Sequence, residues 1–338
     1  MRILCIRFSA IGDVAMTVPV VKALAVARPD IHIIMVSRPF AKAFYEGLAP
    51  NVEFVGMDLK DKRYKGMGGL EHVYHDLRAL NPDMVADLHD VLRTKYARLR
   101  FRMAGIPVSC IDKNRAARKE ITRQENKILQ QQTTAFGKYE AVFSRLGFSF
   151  TVPDEAPLRP GEPPVDVRDM AIGVAPFAAH DGKIYPVDKT ETVMRLLRQK
   201  HPELSIYLFG GGKRDKAQFG TWCSMGDNIF YAGDFCKDMG EELALMRRMK
   251  CMVTMDSGNM HLASLVGTPV ISVWGATHPY AGFMGWGQKE EDIVQVQLPC
   301  RPCSIYGNKP CMRGDYACLN GIRPEDIVQR VEKYLQKA

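Results

Sequence analysis

Cys251-Met252-Val253-Thr254-Met255-Asp256-Ser257-Gly258-Asn259-Met260-His261-Leu262-Ala263 reads as a strand, a tight turn and the opening of a helix. Residues 251–255 form a short apolar run of the length expected for a buried strand, Ser257 and Gly258 supply the turn, and helical spacing follows over 259–266. Backbone N–H groups at such a helix start lack intrahelical partners and make an anion site, which Gly258 lets a phosphate approach closely. The helix dipole contributes about 0.3–1 kcal/mol, up to about 2 when partly buried, which is too little to hold a diphosphate alone. A fixed cation is therefore expected. Lys183, in Phe177-Ala178-Ala179-His180-Asp181-Gly182-Lys183-Ile184-Tyr185-Pro186, follows the strand that begins the same half of the chain. The plainer readings are a surface lysine at 183 and a packed helical histidine at 261.

The same alternation extends outward in both directions. In the second half, strand-like runs at 170–175, 204–209, 228–231 and 269–274 join the one at 251–255, with helical patterns at 189–200 and 239–250. In the first half, strand-like runs fall at 2–8, 32–37, 52–55, 84–87 and 108–111, and a helical pattern at 14–27 ends before Pro29. Strands alternating with helices imply mostly parallel sheets covered on both faces. Between the halves lie Pro153, Pro157, Pro160, Gly161, Pro163 and Pro164, which can continue neither sheet nor helix. The expected architecture is α/β: two doubly wound Rossmann-like domains facing a central cleft, in which strand ends and helix starts receive ligands. The expected divisions are a first domain over 1–158, a linker over 159–168, a second domain over 169–322 and a closing helix over 323–338. Pro324 suits the first turn of that helix, Ile327, Val328, Val331 and Leu335 share one face, and the helix is free to pack back on the first domain.

Composition narrows the class. The chain has 338 residues, 46% hydrophobic and 25% charged, enough for two globular domains and without a run of about 18 apolar residues that would span a bilayer. The apolar start carries Arg7 and Asp13, so it reads as strand, loop and helix rather than as a signal peptide. Nine cysteines without an export signal point to reduced thiols in a cytoplasm. Of the formal charge of +8, a surplus of the same size sits between Arg93 and Lys127, where eleven Lys or Arg face Asp112, Glu120 and Glu125. A concentrated basic window favours an anionic partner, or forms a solvated helical face. Aromatic residues interleave with it too sparsely for stacking on single-stranded nucleic acid.

Ser9-Ala10-Ile11-Gly12-Asp13 lies between the first strand and its helix, where an open parallel sheet meets its ligand. Gly12 allows the tight turn. Asp13 is either an N-terminal cap, with a stabilising effect of about 0.5–2 kcal/mol, or a chemical group.

Taken in order, the Ile-Gly-Asp turn with Thr17-Val18-Pro19, the Lys183-Ile184-Tyr185-Pro186 segment, and Asp256-Ser257-Gly258 with His261-Leu262-Ala263 resemble glycosyltransferase family 9, which contains the ADP-heptose:lipopolysaccharide heptosyltransferases. Asp87-Leu88-His89-Asp90-Val91-Leu92-Arg93 is similar to an acidic loop of that family. The resemblance implies a GT-B fold and an inverting transfer of heptose, or a related sugar, from an ADP-sugar to a phosphorylated, lipid-linked saccharide of the lipopolysaccharide core. Asp13 matches the general base. Lys183, Asp256, Ser257, Gly258 and His261 match donor contacts. Gly12, Asp90, Arg93, Arg115 and Arg118 are expected at the acceptor. No Asp-x-Asp pair occurs, which fits catalysis without a metal or any required cofactor. The resemblance further implies a monomer in the cytoplasm, peripheral on the inner membrane, with no nucleic-acid partner. One departure concerns Gly210-Gly211-Gly212-Lys213-Arg214-Asp215, where family members often carry a glutamate reaching the donor ribose and only Asp215 is at hand. Alternatives are another donor, such as a UDP-sugar, and a non-catalytic nucleic-acid-binding or regulatory protein on the same fold.

Cys300, Cys303, Cys311 and Cys318 form C-x2-C-x7-C-x6-C in a Gly- and Pro-rich loop. The spacing admits a structural zinc, a disulfide, or reduced thiols, the last being the leading expectation.

Overall fold

The computed structural model describes residues 1–336. They divide into two compact units, one of residues 1–114 with 133–158 and the other of residues 115–132 with 159 onward.

The first unit contains β1 (Arg2–Ile6), α1 (Ile11–Ala15), α2 (Val18–Ala27), β2 (His32–Ser37), α3 (Lys42–Tyr45) and β3 (Val52–Gly56). It continues with α4 (Gly66–Ala79), β4 (Met84–Asp87), α5 (Leu92–Met103) and β5 (Val108–Cys110). After α6 (Arg115–Ile121), which belongs to the second unit, the chain returns for α7 (Ala135–Ser144). All strand pairs are parallel, in the order β3-β2-β1-β4-β5. Leu4, Ile6, Ile34, Val36 and Val85 of the sheet pack against Val73 and Leu77 of α4 and Ala97 and Phe101 of α5. Each fully buried side chain of this kind stabilises the fold by roughly 1.5–3 kcal/mol. The order of strands reverses between β1 and β4, so the loops after those two strands open a crevice at their carboxyl ends.

The second unit contains β6 (Ala171–Ala175), α8 (Val187–Lys200), β7 (Ser205–Leu208), α9 (Lys213–Cys223), β8 (Ile229–Tyr231) and α10 (Met239–Arg247). There follow β9 (Met252–Met255), α11 (Gly258–Leu265), β10 (Val270–Trp274), β11 (Ile293–Gln295), α12 (Ala317–Asn320) and α13 (Pro324–Leu335). Again every strand pair is parallel, in the order β11-β10-β9-β6-β7-β8. Ile172, Ile206, Val253 and Ile271 of the sheet pack with Val193 and Leu197 of α8, Phe219 and Trp222 of α9, and Ile327 and Val331 of α13. Here the reversal falls between β6 and β9.

Three features differ from expectation. Residues 115–132 were expected in the first domain, yet they pack with the second unit, because the strap formed by α6 and the irregular chain after it is held by contacts such as Lys127 Nζ to the Pro302 carbonyl at 3.0 Å. The closing helix, expected to be free to pack back on the first domain, lays its apolar face on α8 and β10 of the second unit. Its expected end at 338 lies outside the described residues. Strand β11 was not anticipated, since three residues carry too little periodicity to read. Residues 159–168 hold no helix or strand, in line with proline-rich sequence. Among the described residues no helix is long and apolar enough to cross a membrane.

Candidate functional site

In the first unit, the turn after β1 and the loop after β4 are neighbours because Ile6 and Asp87 are in register. Arg7, directly after β1, is buried, with Nη1 donating to the Leu88 carbonyl at 2.6 Å and Nη2 paired with Asp13 Oδ2 at 2.7 Å. Asp13 sits in the first turn of α1, and the same oxygen accepts the Ala10 N–H at 3.2 Å. Its carbonyl accepts the Tyr139 hydroxyl of α7 at 3.1 Å. Asp13 is thus both a cap and a carboxylate fixed in direction by a buried guanidinium, while its side chain remains 31% exposed. Gly12 is buried in α1 beside it.

His89 lies in the same crevice. Its Nδ1 accepts the Phe8 N–H at 3.4 Å, and its Nε2 is 3.4 Å from Ser9 Oγ. Burial, reinforced by the charges of Arg7 and Lys113, lowers its pKa to about 3, so at neutral pH it is an uncharged hydrogen-bonding group. Asp87 holds the loop by accepting the N–H groups of His89 and Asp90 at 2.9 and 3.0 Å. The Asp90 carboxylate meets Arg98 at 3.2 Å, and Arg93 donates to the Tyr64 carbonyl at 3.2 Å. Asp87, Asp90 and Cys110 have ligand-type atoms within 4.8 Å of one another. Arg98 pairs with both carboxylates, at 3.1 and 3.2 Å, and makes this a salt-bridged group rather than a cation site.

In the second unit, Ala175 of β6 and Thr254 of β9 are in register, which brings the turns after them together. Lys183 ends a single 3-10 turn and pairs with Asp256 at 3.0 Å, the two side chains being 15% and 6% exposed. Three glycines make room for it. A Cβ at Gly182 would stand 2.7 Å from the Gly307 carbonyl oxygen, one at Gly275 2.5 Å from the Gly182 oxygen, and one at Gly307 2.6 Å from Lys183 Cγ. Gly307 also has φ +73°, in the left-handed region that favours glycine. Ser257 is the N-cap of α11 with extended backbone, Gly258 is the first helical residue, and His261 is buried one turn on. The Ser257 Oγ is shielded from solvent with no hydrogen-bond partner among the described residues. The site therefore offers a lysine, a hydroxyl without a partner and a helix amino terminus, a set suited to phosphate oxygens.

The model of glycosyltransferase family 9 (heptosyltransferase) matches residues 72–311. The chain belongs to that family. Lipopolysaccharide heptosyltransferase 1 of Campylobacter coli is 23% identical over 98% of each chain. Among solved structures, E. coli heptosyltransferase WaaC with ADP superposes with TM-score 0.68 at 17% identity, covering 99% of this chain and 100% of that one. A glycosyl transferase family 9 structure from Veillonella parvula gives TM-score 0.70 at 20% identity over 100% and 98%. The fold is GT-B, two Rossmann-like domains, and the chain is a glycosyltransferase.

Within this family 9 chain, the residues expected at the acceptor fall in both units. Gly12, Asp90 and Arg93 belong to the first unit, whereas Arg115 and Arg118 belong to the second. Arg118 donates to the Tyr306 hydroxyl at 2.6 Å and lies 5.4 Å from the Phe283 ring centroid, so it tethers the strap. Asp215 turns back to the N–H groups of Gly211 and Gly212 at 3.2 Å each, acting as a helix cap of α9. Sequence reasoning missed Arg7, His89 and Gly307. The first two stood inside quoted segments as a lone cation and a lone histidine, and nothing local marks them as partners across the sheet.

Proposed function

We propose that this family 9 chain transfers heptose, with inversion and without a catalytic metal, from ADP-heptose to a phosphorylated saccharide of the lipopolysaccharide core. The acceptor hydroxyl oxygen bonds to the anomeric carbon while that carbon's bond to the diphosphate oxygen breaks. The electron pair leaves with ADP, and the hydroxyl proton passes to Asp13. A positioned base contributes about 10²–10⁴-fold. Lys183 and the start of α11 take the charge growing on the leaving diphosphate, the kind of stabilisation that often dominates a rate enhancement. His261 completes the donor side. Neutral His89 is a hydrogen-bonding group beside the acceptor hydroxyl and not an acid.

The observation that carries this reading is the Lys183–Asp256 pair beside the partnerless Ser257 hydroxyl at the strand-order reversal of the second unit. The ADP in the WaaC structure supports adenine as the base of the donor. Calorimetric titration with ADP, UDP and GDP, each with magnesium and with EDTA, tests it. ADP binding tightest and insensitive to EDTA is the expected result. Preference for UDP would replace the donor, and dependence on magnesium would replace the metal-free mechanism.

The acceptor is lipid-linked, and the reading places the enzyme in the cytoplasm at the inner leaflet, acting as a monomer without nucleic acid. Helix α5 supports a peripheral contact. It exposes Leu92 at 74%, Leu99 at 57% and Met103 at 75%, next to exposed Lys95 and Arg102. A basic residue near an anionic surface contributes about 1 kcal/mol, and apolar side chains at the same level add to it. Co-sedimentation with phosphatidylglycerol-containing vesicles, absent with neutral vesicles and lost on replacing Leu92, Leu99 and Met103 by serine, is the expected result. Equal recovery in both vesicle types would remove the contact.

A further inference from the structure

We propose that the Ser9 hydroxyl donates a hydrogen bond to an oxygen of the acceptor saccharide, and that His89 is the positioning residue that sets its direction. The inference rests on the transfer reading given above and deepens it by naming a group that orients the acceptor beside the base. Register brings the two residues together. Ile6 at the end of β1 pairs with Asp87 at the end of β4, so the chain leaving each strand enters the same crevice. Ser9 also precedes Ala10, whose N–H is bonded to Asp13 Oδ2 at 3.2 Å. The hydroxyl therefore stands on the same short segment as the carboxylate.

The contacts of the His89 ring decide its tautomer. Nδ1 accepts the Phe8 N–H at 3.4 Å, so that nitrogen carries a lone pair. A neutral imidazole with a lone pair there bears its proton on Nε2. Burial, together with the charges of Arg7 and Lys113, keeps the ring neutral. Nε2 lies 3.4 Å from Ser9 Oγ, so the ring donates and the serine oxygen accepts. The serine proton is then turned away from the ring. Among the described residues Ser9 Oγ has no other hydrogen-bond partner, and the residue is only half-buried. Its O–H is thus left for an oxygen that enters the crevice. Both contacts are long, as is common for site groups before a substrate tightens them.

The same tautomer separates this role from nucleophilic catalysis. An activated serine needs a base lone pair facing its hydroxyl, and at Nε2 there is a proton instead. Ser9 therefore holds the acceptor and forms no bond to the transferred sugar. A saccharide held through one oxygen at Ser9 can present a neighbouring hydroxyl to Asp13. The oxygen at Ser9 may belong to a hydroxyl, a carboxylate or a phosphate, since each accepts from a neutral O–H. Glutamine could replace the ring, because its carbonyl accepts as Nδ1 does and its amide donates as Nε2 does. Leucine could do neither.

The test is steady-state transfer from ADP-heptose to a deacylated lipopolysaccharide core saccharide, with donor and acceptor varied separately. Ser9→Ala should raise the acceptor KM about three- to tenfold and leave the ADP-heptose KM within about twofold. His89→Leu should reproduce that rise. The double variant Ser9→Ala/His89→Leu should be no worse than either single change, because the ring acts through the hydroxyl. His89→Gln should recover most of what His89→Leu loses, a rescue that a ring needed only for packing would not show. If His89→Leu does not fold, Ser9→Ala and His89→Gln carry the test. An unchanged acceptor KM in Ser9→Ala, additive losses in the double variant, His89→Gln as damaging as His89→Leu, or a sugar adduct on Ser9 in mass spectrometry would each overturn the inference. A wild-type chain that transfers nothing to this saccharide would count against the function proposed above. Titration of the same saccharide against wild type and Ser9→Ala then decides the role of Ser9 by itself: weaker binding in the variant supports it, and equal or absent binding in both overturns it.

Discussion

The two units place their candidate groups at equivalent points of the same topology and prepare them in opposite ways. Between β1 and β4 the charged and ring groups are tied to one another and to the backbone: Asp13 to Arg7 and the Ala10 N–H, the Arg7 Nη1 to Leu88, and the His89 ring to Phe8. Between β6 and β9 the lysine has a partner, but the Ser257 hydroxyl has none and the amino terminus of α11 leaves N–H groups open. A buried polar atom without a partner is uncommon and calls for an explanation. A crevice whose carboxylate is braced by a buried guanidinium suits a group that must point in one direction through a reaction. An unsaturated one suits a ligand that brings its own oxygens. The difference separates chemistry from binding before any substrate is considered.

Asp13→Asn gives the sharpest break. It keeps the shape and an acceptor for the Ala10 N–H while removing the base, so kcat should fall by about 10²–10⁴-fold with the ADP dissociation constant unchanged. A parallel loss of melting temperature and activity would make Asp13 a cap only. Lys183→Ala comes next. ADP binding should weaken about 10- to 100-fold, or about 1.4 kcal/mol for each factor of ten. Because that change strands the Asp256 carboxylate, the double variant Lys183→Ala/Asp256→Asn is needed to separate lost attraction from new repulsion. Partial recovery of affinity in the double variant is expected. Unchanged ADP binding in the single variant would take Lys183 out of the donor site.

How much of this was legible beforehand follows from what is local. The strands at 32–37, 84–87 and 251–255 were readable because a buried parallel strand is a short apolar run between turn residues. The turns carrying Asp13, Lys183 and Asp256 were readable because an α/β sheet puts its functional turns after strands. What escaped depends on contacts across many residues. Arg7 meets Leu88 and Asp13 only once β1 and β4 are side by side. Gly307 meets Lys183 only once the cysteine loop folds back. The strap at 115–132 looked like a continuation of the first domain because its basic residues follow those of α5 in sequence; its partners Phe283, Pro302 and Tyr306 lie far along the chain.

A pH titration sharpens the comparison further. His89 in the first unit and His278 in the second have pKa values lowered by burial, to about 3 and about 4. For a histidine with a depressed folded pKa, the unfolded chain binds the proton more readily between that value and about 6.5. Stability is therefore complete above about pH 6.5 and declines as pH falls toward the folded values. Melting temperatures measured from pH 7 to pH 4 should drop, and His89→Gln should flatten the part of the decline that belongs to the first unit. A wild-type melting temperature independent of pH across that range would show that neither histidine is held neutral.

The smallest expected effect discriminates most finely between the braced and the unsaturated crevice. Ser257→Ala removes a hydroxyl that has no partner in the free protein, so the melting temperature should stay level or rise slightly, in contrast with the loss usual for an N-cap. If the hydroxyl meets a donor phosphate, ADP affinity should nonetheless fall, by about 1 kcal/mol or roughly fivefold. Stability and affinity then move in opposite directions, which no purely structural serine can produce. A fall in stability with affinity intact would mean that Ser257 serves the helix, and the open character assigned to the second crevice would rest on Lys183 and the α11 amides alone.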